Sequence, residues 1–221
     1  MPVRKIPKNY RNLTGVIKNT KANRMSGFES TLERDFYFLL DFHDHDFEEQ
    51  PVLIEFDHEG SRRKYTPDVL VTFKPTPMGV TDRKPELYEI KYRDDLRKEW
   101  PACKSRFKAA RRYARKQGWK FKIITEKEIR GPQLETAQFL RGFKKKSADQ
   151  KSVKKLLSAI AILGETNPDS LLSYITTDVW ERAELVKIIW HLVATKRIGC
   201  DLSKMLTMQC SLSPVSVWSV K

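Results

Sequence analysis

The chain has 221 residues, with 42 lysines and arginines against 28 aspartates and glutamates, and a formal net charge of +14 at pH 7. This length accommodates one domain and a small second one. No stretch approaches the roughly 20 uninterrupted apolar residues of a membrane helix, and the basic N-terminus lacks the apolar segment of a secretory signal. Three cysteines without CxxC spacing predict neither a disulfide framework nor a structural zinc site. We therefore expect a cytoplasmic protein that does not associate with a membrane.

The positive charge is concentrated in two segments. Residues 1–27 carry a charge of +7 and residues 101–154 a charge of +13, whereas residues 28–59 carry −10. Clustered lysine and arginine favour binding to a polyanion, because neutralised phosphates release counterions. The alternative explanation for such a run is a solvated helix face with a basic linker. An acidic cluster inside a DNA-binding protein calls for another cation, which a metal site would supply.

The N-terminal half of the sequence predicts an arm, a helix and a sheet. Residues 1–25 show no apolar periodicity and predict a basic, extended arm. From Phe28 onward apolar residues recur at spacings of three and four, which predicts an amphipathic helix over 27–42, capped by Ser26. Runs of apolar and alternating residues then predict an antiparallel meander of three strands, over 51–57, 63–74 and 86–92.

A second helix is predicted over 94–117, and a fourth strand over 119–126 returns to the sheet. The buried stripe of this helix is expected to consist of Cys103, Phe107, Ala110 and Ala114. The order helix, three strands, helix, strand is that of an α/β domain.

A lysine-rich segment after Gly131 predicts a domain boundary near residue 145. Beyond it, three helical segments and a weakly alternating end predict a small, mostly helical domain with a closing hairpin, which is the outline of a winged helix. The predicted organisation is therefore an arm over 1–25, an α/β domain over 26–145 and a winged-helix-like domain over 146–221.

Polar side chains lie on two neighbouring predicted strands. Asp68 follows Thr66-Pro67, and Glu89 and Lys91 are two positions apart on the next strand, so both project from one face. Antiparallel pairing of the strands would place Asp68 beside them. Two close carboxylates suit a hard cation such as Mg²⁺, and the lysine can orient the attacking water or stabilise charge at phosphorus. The main-chain carbonyl of Ile90 is a candidate third ligand.

A Pro-Asp followed by Glu-x-Lys across a hairpin between two helices resembles the PD-(D/E)xK nuclease superfamily. The runs SGFESTLERDFYFLLDF, RKYTPDVLV, LYEIKY and VKIIWHLVATKRIGCDLSKMLT narrow this to a resemblance to TnsA. TnsA proteins are the endonuclease subunits of heteromeric bacterial transposases, some of them guided by CRISPR complexes. The resemblance implies a restriction-endonuclease-like core and cleavage of the 5′ strand at transposon ends with Mg²⁺, for which Mn²⁺ would substitute. It also implies three partners: double-stranded transposon-end DNA, a TnsB-like transposase and a TnsC-like ATPase regulator.

The family resemblance implies a catalytic Glu, Asp and Lys, which fall here on Glu33, Asp68 and Lys91. Many family members carry Gln at the position of Glu89, and this chain instead restores the superfamily pattern. Glu29 shares a helix face with Glu33, but a first-turn acid is also explained by the helix dipole. We therefore predict that the metal is held by Asp68, Glu89, Glu33 and the carbonyl of Ile90, with Lys91 as a catalytic group.

The second basic segment predicts contacts with DNA phosphates. The residues assigned to them are Arg106, Lys108, Arg111, Arg112, Arg115, Lys144, Lys145 and Lys146. The aspartates and histidines between Asp41 and Asp46 predict a solvated turn rather than a metal site.

Two other functions are consistent with the same fold. One is a non-catalytic DNA-binding or assembly subunit, although the presence of all four polar positions favours a nuclease. The other is a stand-alone resolvase or restriction nuclease, although the small second domain favours a multi-subunit complex.

Overall fold

The computed structural model describes residues 15–19, 24–43, 45–73, 83–144 and 147–215. The chain divides into two compact units, the first ending at Arg130 and the second beginning at Gly131. The strands of unit 1 are β1 (Gly15–Asn19), β2 (Arg24–Phe28), β3 (Asp46–Glu49), β4 (Ile54–His58), β5 (Ser61–Tyr65), β6 (Val69–Thr72), β7 (Glu86–Ile90) and β8 (Lys120–Ile124). Its helices are α1 (Thr31–Phe42), α2 (Arg93–Lys116) and α3 (Glu126–Ile129).

A four-stranded mixed sheet with the order β3-β6-β7-β8 forms the centre of unit 1. β3 and β7 both run antiparallel to β6, whereas β8 runs parallel to β7. A parallel neighbour requires a long crossover connection, and α2 provides it between β7 and β8. Every residue of β7 is buried, as expected for a strand covered on both faces.

Two helices cover the two faces of this sheet. Phe36 of α1 packs against Tyr88 of β7, with ring centroids 5.1 Å apart. Leu87 packs instead in the cluster that contains Phe107 of α2. Because side chains alternate along a strand, Glu89 lies on the α2 face together with Leu87. The predicted buried stripe of α2 is confirmed at Cys103, Phe107, Ala110 and Ala114.

β4 and β5 form a hairpin outside the central sheet. Its turn residues Glu59 and Gly60 both have positive φ, 51° and 73°, as a type I′ turn requires. The register places Ile54 opposite Tyr65, and both residues pack into the cluster formed with α2. From Tyr65 the chain crosses to the central sheet through Thr66, Pro67 and Asp68, so the hairpin determines where Asp68 enters the sheet.

The α/β class and the restriction-endonuclease-like core are confirmed, but the strand pairing differs from the predicted meander. The predicted strand over 63–74 is divided into β5 and β6, because Pro67 has no N–H to donate to a ladder. The place beside β6 expected for the strand over 51–57 is taken by β3, where the sequence predicts a polar turn. β3 forms because Phe47 and Glu49 alternate inward to buried positions.

The N-terminal elements also differ from expectation. Within the predicted arm over 1–25, β1 pairs antiparallel with β2, and the rest of the arm lies outside the described residues. Ser26, predicted to cap α1, lies in β2 and donates its hydroxyl to Oε2 of Glu49 at 3.0 Å. The helix begins later, because Ser30 is the residue whose side chain accepts the N–H of Glu33.

Unit 2 consists of helices and a terminal hairpin. Its elements are α4 (Pro132–Lys144), α5 (Gln150–Leu163), α6 (Pro168–Ile175), α7 (Val179–Ala194), β9 (Ile198–Cys200) and β10 (Leu212–Pro214). β9 and β10 pair antiparallel, so the three predicted helices and the closing hairpin correspond to α5, α6, α7 and β9–β10. Its core contains fully buried aliphatic side chains, among them Leu156, Ile160, Leu171, Ile189 and Leu192.

The division between the units precedes the boundary predicted near residue 145. α4 belongs to unit 2 because Phe139 packs edge-on against Trp190 of α7, with ring centroids 5.6 Å apart. In addition, Nδ1 of His191 lies 2.9 Å from the carbonyl oxygen of Phe143. The lysine-rich segment that suggested the boundary follows α4 rather than preceding it. No helix in the described part of the chain is long and apolar enough to cross a membrane.

Candidate active site

Asp68 lies one residue before β6, where the hairpin joins the central sheet. Its N–H donates to the carbonyl of Tyr88 at 3.1 Å, and its own carbonyl accepts from the N–H of Gln50 at 2.8 Å. Its Oδ2 accepts from the N–H of Ile90 at 2.6 Å. The Asp68 carboxylate thus provides an acceptor for the Ile90 N–H of β7 at a level where β6 has not yet begun. Main-chain bonds to Tyr88 of β7 and to Gln50, the residue after β3, therefore fix Asp68, and the Ile90 N–H holds its carboxyl group at the end of β7.

Glu89 projects toward α2, and both of its carboxylate oxygens have protein donors. Oη of Tyr65 donates to Oε2 at 2.5 Å, and Nη2 of Arg106 donates to Oε1 at 3.3 Å. The Glu89 side chain is only 8% exposed, and a charge buried to this extent requires such partners. Tyr65 of the β4–β5 hairpin and Arg106 of α2 thus both hold the Glu89 carboxylate in position.

Lys91 follows β7 directly, and its N–H donates to the carbonyl of Ile124 at 3.1 Å. Its Nζ lies 2.7 Å from Oε2 of Glu99 in α2. The positive charge of Lys91 also acts on the Glu89 carboxylate, where it opposes the rise in pKa that burial causes. The Glu-x-Lys pair of the sequence therefore interacts electrostatically in the fold, while α2 holds the ammonium group.

Glu33 closes the N-terminus of α1. Its Oε2 accepts from the N–H of Glu29 and its Oε1 from the hydroxyl of Ser30, both at 2.9 Å. The N–H of Glu33 donates back to Ser30 Oγ at 3.1 Å, in a reciprocal arrangement like that of a capping box. Glu29, for which the sequence analysis considered a role at the helix terminus, instead accepts from Nε2 of Gln50 at 3.0 Å. Both carboxylate oxygens of Glu33 thus accept hydrogen bonds at the N-terminus of α1 in this structure.

The acidic side chains of the site repel one another. Burial, followed by the charges of Glu89 and Glu33, raises the pKa of Asp68 well above its ordinary value. Burial also raises the pKa of Glu33 in spite of its hydrogen bonds, and repulsion from Glu29 and Glu89 adds to the rise. Burial raises the pKa of Glu89 in spite of its neighbouring cations. A desolvated cluster of this kind favours the binding of a cation.

A cleft of about 440 Å³ opens at these residues. It is lined by Leu53, Lys64, Tyr65, Thr66, Asp68, Glu89 and Arg106. Mg²⁺ commonly binds one or two carboxylates and completes its shell with water and phosphate oxygens. Asp68 and Glu89 fit this donor set, because both carboxyl groups line the cleft and a cation would relieve their repulsion. Within the described ranges, no three His, Cys, Asp or Glu side chains form a ready-made metal site.

The residues predicted to bind DNA fall into separate places. Lys108, Arg111, Arg112 and Arg115 are exposed on α2 in unit 1. Arg106 is instead half-buried and paired with Glu89, so it belongs to the cleft rather than to the outer surface of the helix. Lys144 ends α4 in unit 2, whereas Lys145 and Lys146 lie outside the described residues.

Three side chains of the site were not singled out from the sequence. Tyr65 contacts Glu89, Glu99 contacts Lys91 and Gln50 contacts Glu29. Tyr65 could have been noted as the last inward residue of the run that leads to Thr-Pro-Asp. No local pattern marks Glu99 or Gln50, because their contacts join segments that are distant in the sequence.

The mixed sheet and its two covering helices form a restriction-endonuclease-like core. A family described as TnsA-like endonuclease N terminal matches residues 45–126, and one described as TnsA endonuclease C terminal matches residues 128–202. The chain therefore belongs to the TnsA endonuclease family. No individual curated protein matches it.

Membership of this family makes the chain a DNA endonuclease subunit of a transposase, and it implies transposase partners and a divalent cation. Asp68, Glu89 and Lys91 lie within the matched N-terminal part. Glu33 on α1 precedes the match, which begins at residue 45.

Proposed function

We propose that this chain hydrolyses the 5′ strand at transposon ends in a reaction that depends on Mg²⁺, with Mn²⁺ as a substitute. The observation that carries the proposal is the desolvated pair of carboxyl groups, Asp68 and Glu89, in one cleft, with the charge of Lys91 acting on Glu89. A TnsA-family chain that had lost catalysis would have no reason to maintain this repulsion.

Asp68 and Glu89 would hold the cation, with the carbonyl of Ile90 as a further ligand. When bound, the cation polarises a phosphoryl oxygen and lowers the pKa of a coordinated water. Asp68 is oriented for this task by the Ile90 N–H, and Glu89 by Tyr65 and Arg106. Glu33 is assigned as the helix carboxylate of the site by family resemblance, and its charge raises the pKa of Asp68.

Lys91 would orient the attacking water and stabilise negative charge that develops on the phosphate. Its ammonium group is anchored by Glu99 and acts on the Glu89 carboxylate. The position directly after β7 keeps Lys91 close to the metal-binding carboxylates, because its N–H remains bonded to Ile124 of β8.

The exposed α2 residues Lys108, Arg111, Arg112 and Arg115 would bind the phosphate backbone of transposon-end DNA, and unit 2 would bind protein partners. A TnsB-like transposase would cut and join the other strand, and a TnsC-like ATPase would regulate the assembly. Ile162, Val179 and Trp180 of unit 2 are 71%, 74% and 83% exposed, which supports protein contact there. The chain would act in the cytoplasm, where its three free thiols remain reduced.

The test is strand-specific cleavage of an end-labelled transposon end by this chain together with the transposase of the same element. We expect one cut on the 5′ strand with Mg²⁺ or Mn²⁺ and none with EDTA. A second readout is thermal unfolding of the free chain, whose midpoint should rise with Mg²⁺ because the cation binds only the folded state. Asp68→Asn should remove both effects.

The matched control for that variant is Asp57→Asn, which neutralises an exposed acid on β4 and should change neither readout. Cleavage that persists in EDTA, or a cut on the 3′ strand alone, would contradict the proposal.

A further inference from the structure

Arg106 differs from the other arginines of α2 in its surroundings. Its guanidinium carbon lies 5.5 Å from the ring centroid of Tyr65 and 5.2 Å from that of Phe107. The side chain is 29% exposed and lines the cleft that Asp68 and Glu89 share. Arg106 is therefore held at the mouth of the candidate active site by stacking, while the exposed arginines lie along the outside of the helix.

The Nε of Arg106 is buried and has no hydrogen-bond partner among the residues that the structure describes. Buried donors are almost always satisfied, and an exception calls for an explanation. Burying a charged donor without an acceptor is costly. An anion in the cleft is a suitable acceptor, because a guanidinium offers two parallel N–H groups that match two phosphate oxygens. A shift of this 29%-exposed side chain would bring the buried Nε to such an anion.

The ion pair with Glu89 does not account for Arg106 by itself. The Nη2 to Oε1 distance is 3.3 Å, longer than the roughly 2.7–2.9 Å typical of charge-assisted hydrogen bonds. Glu89 already has a much shorter bond from Tyr65, at 2.5 Å. The guanidinium thus has only a long hydrogen bond to the carboxylate, and its Nε donor has no acceptor among the described residues.

We propose that Arg106 binds the phosphate group that is cleaved, and that its contact with Glu89 holds it in the cleft before DNA arrives. The proposal rests on the proposed function of the cleft as the nuclease site. An arginine at this place neutralises a phosphate brought close to buried carboxylates, and it stabilises the charge that grows on the phosphate during hydrolysis. Arg106 then acts on a single phosphate, whereas the exposed residues of α2 act on the backbone in general.

The test is a methylphosphonate scan of a transposon end bound by the partner transposase. Each probe replaces one charged phosphate oxygen by a methyl group, and Kd of this chain for each complex is measured in EDTA, where no cleavage occurs. We expect one position at which the methylphosphonate changes Kd about tenfold more for the wild type than for Arg106→Ala. That position should coincide with the bond that the wild type cuts when Mg²⁺ is added.

Three further variants separate the phosphate contact from other effects. Arg111→Ala removes an exposed arginine of the same helix, so it should weaken all complexes alike and keep the wild-type response at the single position. Tyr65→Phe removes the other bond to Glu89 but keeps the guanidinium, so it should also keep that response. Arg106→Gln retains amide donors for Glu89, so it replaces Arg106→Ala if the alanine variant fails to fold. Like Arg106→Ala, it should lose the sensitivity of Kd to the methylphosphonate at the single position.

Activity provides an independent measurement. At saturating DNA, Arg106→Ala should reduce the single-turnover cleavage rate by about a hundredfold. The control Arg97→Ala changes an exposed arginine of the same helix that pairs with Asp94 and has no assigned DNA contact, so it should stay within about twofold of the wild type. The inference is overturned if no phosphate depends on Arg106, if the dependent phosphate is not the cleaved one, or if Tyr65→Phe loses the response equally. Failure of the proposed function is recognised separately, because then the wild type makes no metal-dependent cut whatever the scan shows.

Discussion

Asp68 and Glu89 are held in the same cleft by different kinds of bond. Asp68 depends on the main chain, through the N–H of Ile90 and its own bonds to neighbouring strands. Glu89 depends on the side chains of Tyr65 and Arg106. A change at Asp68 therefore removes a proposed metal ligand without disturbing α2, whereas a change at Glu89 leaves the half-buried Arg106 and the buried Tyr65 without their acceptor.

The first prediction at this scale concerns Asp68→Ala and Lys91→Ala. Each should reduce single-turnover cleavage by at least about a hundredfold, because a metal ligand or the water-orienting ammonium is lost. Folding and DNA affinity should remain nearly intact, as measured by thermal unfolding and by titration with labelled duplex. A Lys91→Ala variant that cleaves near the wild-type rate would show that Lys91 has no catalytic part.

A second prediction concerns Glu86, a buried acid on the α1 face of β7. Burial would raise its pKa, but hydrogen bonds from Lys122, Tyr88 and Arg83 together outweigh burial and lower it. A lowered folded-state pKa means that Glu86 stabilises the fold at neutral pH. This contribution is lost as the pH falls from the unfolded value of about 4.3 through the lower folded value.

Glu86→Gln should therefore be less stable than the wild type at pH 7, and the difference should shrink as the pH falls below about 4. Urea unfolding at a series of pH values measures the difference directly. Glu55→Gln is the control, because Glu55 pairs with Arg62 at the surface and such pairs contribute little. A Glu86→Gln difference that is constant with pH would contradict the assigned pKa direction.

At the scale of elements, α2 serves three purposes around its circumference. Its apolar stripe is buried against the sheet and the hairpin. Arg106 lines the cleft, and from Lys104 onward the exposed positions of the helix carry lysine and arginine. The helix connects β7 to β8, so it begins just after the strand that carries Glu89, and its positive charge extends away from the cleft.

The prediction for this element is that the combined change of Arg111, Arg112 and Arg115 to alanine weakens binding to specific and random duplexes alike. Phosphate contacts are insensitive to sequence, and each lost contact lowers the slope of log K against log salt by roughly one unit. Titrations between about 50 and 200 mM salt should show a slope flatter by up to about three units. Unchanged binding at every salt concentration would place the DNA path elsewhere in the chain.

At the scale of the whole molecule, the nuclease elements lie in unit 1, and the exposed apolar residues Ile162, Val179 and Trp180 lie in unit 2. Unit 2 carries a net charge of +5, but residues 155–221, which include these three apolar residues, carry only +1 of it. This division is consistent with DNA cleavage by one unit and protein contact by the other.

The prediction at this scale concerns the products of transposition. Asp68→Ala should block only the 5′-strand cut and leave strand transfer by the transposase intact, so that products shift from simple insertions to joined donor and target molecules. Sequencing of the products distinguishes the two. Loss of both strand cuts would instead indicate that the chain has an architectural role.

The extent of sequence prediction differs between elements for a physical reason. α2 was predicted closely, because the spacing of Cys103, Phe107 and Ala110 is a local property of one continuous helix. β3 was missed, because the short acidic run Asp46–Glu49 becomes a strand only through its pairing with β6. Because β3 pairs with β6, the segment predicted as a strand over 51–57 pairs instead with β5 in a separate hairpin.

By itself the sequence determined the α/β class. It also predicted that Asp68 lies beside Glu89, because neighbouring antiparallel strands bring such residues together, and both carboxyl groups line one cleft. Only the tertiary structure decided what those side chains contact. Glu33 binds the end of its own helix, and Arg106 turns from the helix surface to Glu89. Such contacts depend on which distant segments come together, and the spacing of residues along the chain carries no record of that.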